Sequence, residues 1–244
     1  INMLYNIVDR IYIGHIPEIG ANALTGVGLF SPILMLITAF AMMAGSGGAP
    51  RAAIAMGQGD KERAEKIMGN CFTVLMIFAV ILTIGFYIAC PTLLRWFGAS
   101  DATLPYGVEY GRIYILGSVF VLITMGMNTF ITTQGFAKIS MLTTVIGAVI
   151  NIVLDPIFIF NLDMGVAGAS LATAISKVVS FALLIFPYIP RRSLLPLSIR
   201  NFKPSWDIIS KVVSVGSSSM FRSGLAVVSA ILLNSHAPPK LWLT

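Results

Sequence analysis

Asn151 and Asp155 stand four residues apart in the run "NIVLDPIFIF", residues 151–160, whose other members are all apolar or proline. Four residues make about one helical turn, so amide and carboxylate face the same way. Pro156 follows at once. It carries no N–H, which frees the carbonyl of Ile152 and predicts a bend in the helix there. A carboxylate, an amide and a spare carbonyl are hard oxygen donors of the kind that hold a monovalent cation, and a buried carboxylate can also carry a proton. A second acid, Asp9, sits in "LYNIVDRIYIG", with Tyr5 one turn before it and Asn6 three residues before it. Structural roles compete with these readings. Arg10 could pair locally with Asp9, and Asn151 could be an interhelical hydrogen-bonding residue.

The setting gives these polar groups their weight. Hydrophobic residues make up 57% of the 244-residue chain and charged residues only 11%, whereas a soluble domain carries about 25% charged residues. Mean hydropathy is +0.88. Residues 71–94, 113–133, 139–160 and 164–189 hold almost no charge, and each block approaches or exceeds the roughly 20 residues that cross a bilayer as a helix. The blocks are continuous and do not alternate, which predicts an all-α polytopic membrane bundle and excludes a barrel. A charge at mid-bilayer costs roughly 2.5–3.5 kcal/mol, so acids there face the bundle interior and mark function. Asp9 and Asp155 are the two acids well inside predicted spans; the others lie in loops or near span ends.

Seven hydrophobic segments can be read: 1–14, 22–46, 69–94, 107–133, 138–160, 165–189 and one starting near 206. The first is too short to span, which leads us to expect that its beginning is missing; the last breaks off in "NSHAPPKLWLT". The glycine cluster "AGSGGAP" marks the expected end of the second segment. Basic residues gather in alternate connections: Arg51, Lys61, Arg63 and Lys66; Lys138; Arg191, Arg192, Arg200, Lys203 and Lys211. The positive-inside rule therefore places the N-terminus and the 47–68, 134–138 and 190–205 loops in the cytoplasm. "RNFKPSWDIISK" reads as an amphipathic surface helix with Trp206 at headgroup level. Cys71 and Cys90 are 19 residues apart within one segment, about 28 Å along a helix, too far to bridge.

Small residues Gly165, Gly168, Ala169, Ala172 and Ser176 recur at three- and four-residue spacing in "GVAGASLATAISKV", a pattern for close helix packing. Thr173 reads first as a packing residue. Met42, Met43, Met125 and Met127 are candidates for a cavity wall, with core packing as the alternative. No phosphate loop, His/Cys metal spacing or nucleophile–base set appears, so an enzyme is not expected. Nor is nucleic acid an expected partner; the net charge of +6 fits basic membrane loops.

Several stretches together resemble the multidrug and toxic compound extrusion (MATE) family of secondary transporters: "LYNIVDRIYIG", "AMGQGDKERAEKIMGN", "TTQGFAKISMLTTVIGAVINIVLDPIFIF" and "MGVAGASLATAIS". The resemblance covers residues 2–233. It implies two six-helix lobes and export of drugs or organic cations across the cell membrane in exchange for sodium ions or protons, with no other cofactor. It also implies a coupling site formed by Asp9, Asn151, Asp155, Thr173 and Tyr5, with sodium held at the first four. The expected layout is a first lobe at 1–190, a cytoplasmic linker at 191–205 and the start of the second lobe at 206–244. That layout makes the rest of the second lobe a partner alongside small-molecule substrates and the bilayer. "VGSSSMFRSGLAVV" offers Arg222 and no carboxylate, which favours coupling in the first lobe. Alternative readings are a lipid-linked oligosaccharide flippase of the same superfamily, with Arg10, Arg112, Lys177 and Arg222 as candidate cavity bases, and a channel or non-transporting membrane scaffold.

Overall fold

A computed structural model describes residues 2–188, Leu195 and residues 199–236, with side chains for 7–186, 188, 195, 201–225 and 228–229. Its helices are α1 (Asn2–Gly14), α2 (Gly20–Leu29), α3 (Ser31–Gly57), α4 (Lys61–Trp96), α5 (Leu104–Thr133), α6 (Ala137–Pro156), α7 (Gly165–Ile185) and α8 (Trp206–His236). A π-helical turn, Ile157–Asn161, extends α6, and 3₁₀ turns occupy Phe186–Tyr188 and Ile199–Phe202. Every described element is helical. Among the described residues, five stretches are long and apolar enough to cross a membrane: Gly20–Gly57, Lys61–Trp96, Leu104–Thr133, Ala137–Asn161 and Gly165–Ile185. α1, with 13 residues, is too short to span, as its sequence leads one to expect.

The bundle turns its grease outward as well as inward. Ile77, Ile81, Ile84 and Ile88 of α4 are all exposed. Their spacing puts them on one stripe, a face suited to lipid. Inside, Phe30 meets Tyr110 and Tyr114 edge-on at 5.7 Å each. A second core gathers Met68, Leu75, Met127 and Phe130. Cys71 and Cys90 are buried and free.

The glycine cluster does not end a span. α3 runs through Gly45, Gly47, Gly48 and Pro50 to Gly57, and α4 begins at Lys61, so the expected 47–68 loop shrinks to a turn at residues 58–60. The reason is packing. A Cβ on Gly45 would strike Thr129 and Gly126 of α5; on Gly48, Cys71 and Phe130; on Gly47, the backbone of Val212 in α8. Glycine here lets neighbouring helices touch backbone to backbone. Gly59, at φ +79°, makes the turn itself, and Asp60 caps α4 by accepting from the Arg63 N–H at 3.0 Å.

The segment before α8 also departs from expectation. It forms no separate surface helix; it docks on α4. Phe202 stacks on Phe72 at 5.0 Å. Asn70 Oδ1 accepts from the Ser205 N–H at 2.6 Å, and Thr73 Oγ1 donates to the Phe202 carbonyl at 3.0 Å. A Cβ on Gly69 would collide with the Asn201 backbone, so α4 is cut away where the segment lies. Trp206 is exposed. Residues 189–194 and 196–198, with Arg191 and Arg192, lie outside the described residues.

Candidate functional site: a buried carboxylate pair and an adjoining cavity

α1, α6 and α7 meet where the polar residues lie. Asp155 is 0% exposed, Asn151 1%, Asp9 3% and Thr173 3%. Asn151 Nδ2 donates to Asp155 Oδ1 at 3.0 Å and to Thr173 Oγ1 at 3.2 Å, so one amide ties α6 to α7. The Asp9 and Asp155 charges act on one another. Among the described residues, Asp9 Oδ1, Asn151 Oδ1 and Asp155 Oδ2 have no hydrogen-bond partner. Unmet buried oxygens of this kind are costly, and a cation or a proton would satisfy them.

Among the described residues no ion pair joins Arg10 to Asp9, although the Arg10 charge still acts on that carboxylate. Arg10 is exposed and donates through Nη2 to Ser31 Oγ at 2.9 Å, on α3. Pro156 marks a real change of winding. α6 ends there and the π-turn begins, with the Leu162 N–H reaching back to Ile157 O at 2.9 Å. That turn presses its Phe158 backbone against Gly168 of α7, fixing the height at which Thr173 meets Asn151. The side chain of Tyr5 lies outside the described residues; its backbone is on α1.

Toward the end of the bundle that holds the 58–60 turn, a cavity of about 850 Å³ opens between α3, α5, α6 and α7. Met42 and Met125 line it, as two of the four candidate methionines; Met43 and Met127 are core residues. Thr124, Asn128 and Thr132 line it from one face of α5, and Thr144, Lys177 and Ser180 from α6 and α7. Thr124 and Asn128 escape the sequence reading, although their four-residue spacing in an apolar run is the signal that exposes Asn151 and Asp155. Of the four bases weighed for a flippase cavity, Lys177 alone lines it. Arg10 and Arg222 are exposed, and Arg112 stacks over Tyr87 at 5.5 Å.

The MatE family profile matches residues 1–157, well over half of the chain. The chain belongs to the MatE family. It is 25% identical over 234 residues to the multidrug export protein MepA of Staphylococcus saprophyticus, covering 96% of this chain and 51% of the relative. MepA of Staphylococcus aureus strain MRSA252 is 24% identical over 239 residues, with the same coverage. Among solved structures, an inward-facing multidrug resistance MATE family transporter of the MOP superfamily superposes with a TM-score of 0.89 at 31% identity, covering 96% of this chain and 53% of that one. An outward-facing member gives 0.87 at 31% identity, covering 96% and 51%. The chain thus spans about half the length of the relatives it matches. In this MatE chain Asp9, Asn151 and Asp155 fall within the matched segment, while Thr173 and Lys177 lie beyond it.

Proposed function

We propose that this chain supplies the first lobe of a cation-coupled exporter, an antiporter that moves amphipathic or cationic small molecules out of the cell in exchange for sodium ions or protons. The observation that carries this reading is the buried cluster of Asp9, Asn151, Asp155 and Thr173 with three oxygens left open. Two carboxylates, an amide oxygen and a hydroxyl are hard donors suited to sodium, and either acid can hold a proton. Tyr5, one turn before Asp9, completes the proposed group. The names of the relatives support the export of drugs, and the basic residues within 47–68, 134–138 and 190–205 support a cytoplasmic placement of those segments and of the N-terminus. In the same reading residues 1–190 form the lobe, 191–205 the linker and 206–244 the start of the second lobe.

Taking up the cation between Asp9 and Asp155 cancels their repulsion and lets α1 close on α6. Substrate binds better to the other arrangement, so each ligand displaces the other only through its differential affinity for the two states. The test is gradient-driven uptake of a fluorescent cation into inverted vesicles carrying the full-length gene product, where export from the cell reads as accumulation. Asp9→Asn and Asp155→Asn should each abolish gradient-driven transport; normal transport in both would refute the coupling site. Collapsing the sodium and proton gradients one at a time identifies the ion.

A further inference from the structure

The geometry points to a lipid site on the outside of the bundle. A groove of about 540 Å³ beside Glu109 and Arg112 holds one phospholipid whose headgroup carries both a phosphate and a primary ammonium, phosphatidylethanolamine. The inference goes beyond transport and rests only on the chain lying in a bilayer. The groove opens at the end of the bundle away from the 58–60 turn, between the start of α5, Pro91 of α4 and Ala167 of α7. Its charged lining residues are Glu109 and Arg112, three apart and therefore neighbours on α5.

Both charges stand on a face that the bundle leaves open. Pro105, Glu109, Arg112 and Leu116 are exposed and recur at helical spacing, one stripe of α5. Among the described residues neither Glu109 nor Arg112 forms an ion pair, with the other or with any neighbour. Arg112 instead lies over the Tyr87 ring of α4 at 5.5 Å. That contact hydrogen-bonds none of the guanidinium N–H groups, and these are the donors that grip a phosphate in pairs. Glu109 is an acceptor and calls for N–H donors with a positive charge.

Depth and charge together select the ligand. α5 has 30 residues, about 45 Å of helix against a hydrocarbon core of about 30 Å. Centred on that core, α5 projects by about five residues at each end, which sets Glu109 at the hydrocarbon edge. Arg112 lies about 5 Å deeper, with a side chain directed back toward the start of the helix. A lipid phosphate stands at that level with its ammonium nearer the water, the same order as Arg112 and Glu109. Ile84 and Ile88, on the Pro91 face of α4, and Leu116 of α5 are exposed below the charges, a bed for an acyl chain. A headgroup with phosphate and no ammonium meets Glu109 as a like charge, and a quaternary ammonium offers it no N–H.

Native mass spectrometry of the purified full-length gene product in detergent tests the site. The probes are dioleoyl phosphatidylethanolamine, phosphatidylcholine and phosphatidylglycerol, added at equal concentration. The ethanolamine lipid should be retained at least about threefold over either of the others, the margin of a partly exposed ion pair. Arg112→Gln should lower retention of all three. Glu109→Gln should erase the ethanolamine preference and raise retention of phosphatidylglycerol, whereas Glu109→Asp, which keeps the charge, should keep the preference. Lys138→Gln, exposed at the opposite end of the bundle, should leave it unchanged. Equal retention of the three lipids, retention of none, a preference that survives Glu109→Gln, or stronger retention of phosphatidylglycerol by the unaltered protein would each overturn the inference. Normal transport in both Asp9→Asn and Asp155→Asn would instead sink the coupling site and leave this result standing.

Discussion

Asn151 uses both N–H bonds of its amide, one on Asp155 and one on Thr173, and this fixes where its free oxygen points. Thr173→Val keeps the shape of the side chain but removes the acceptor, leaving one buried N–H unmet at a cost of about 1–3 kcal/mol. We expect the variant to fold with a lowered melting temperature and to need a higher ion concentration for half-maximal efflux. Thr173→Ser should restore both. An ion dependence unchanged in the valine variant would show that the α6–α7 bond plays no part in ion uptake. Asn151 and Asp155 are legible in the sequence because polarity repeating every four residues cannot hide inside an apolar run. Thr173 is not, since a lone threonine among small residues looks like packing until the residue opposite it is known. Lys177 can be read only as one of four scattered bases; which of them reaches a cavity depends on how the helices are rotated, and a single sequence does not encode that visibly.

Helix boundaries show the same division at the next scale. Hydrophobic length locates the spans, because a bilayer demands it, but the glycines of α3 read as breakers. Local propensity penalises glycine in a helix by about 1 kcal/mol, and in α3 backbone contacts to α5 and α8 outweigh that penalty. Glycines in this protein therefore divide into two kinds with opposite responses to alanine. Gly168 sits against the Phe158 backbone with room for no side chain, whereas a Cβ on Gly28 in α2 meets nothing within 4 Å. Gly168→Ala should push α7 off the π-turn, lower stability by about 1–3 kcal/mol and impair ion coupling. Gly28→Ala should be neutral or raise stability by about 0.5–1 kcal/mol. Thermal unfolding of the two variants, followed by a tryptophan or dye signal, distinguishes them. Equal losses would mean that helix propensity, and not contact, governs these sites.

At the scale of the whole molecule, α8 is the last described helix, and it leans on α3 more closely than a surface helix would. Gly47 faces the Val212 backbone and Gly216 faces that of Met43, so the two helices cross glycine to backbone from both sides. One turn along α8, Ser46 Oγ donates to Ser219 Oγ at 3.1 Å. The segment before α8 is clamped to α4 through Asn70, Thr73 and Phe72, so the start of α8 is held by several bonds while the crossing adds one hydroxyl pair to its packing. The proposed alternating-access cycle needs some pair of surfaces to part, and a crossing built on glycine-to-backbone contact with one hydroxyl pair can part with little repacking. The Ser46→Cys/Ser219→Cys pair tests whether this is that surface. Hydroxyls at 3.1 Å place the two Cβ atoms near the roughly 3.5–4.5 Å that a disulfide needs. If the crossing opens during transport, oxidation of the full-length double variant should stop efflux and reduction should restore it, with each single variant active throughout. Undiminished efflux from the fully cross-linked protein would make the α3–α8 crossing a fixed part of the scaffold and move the opening surface elsewhere.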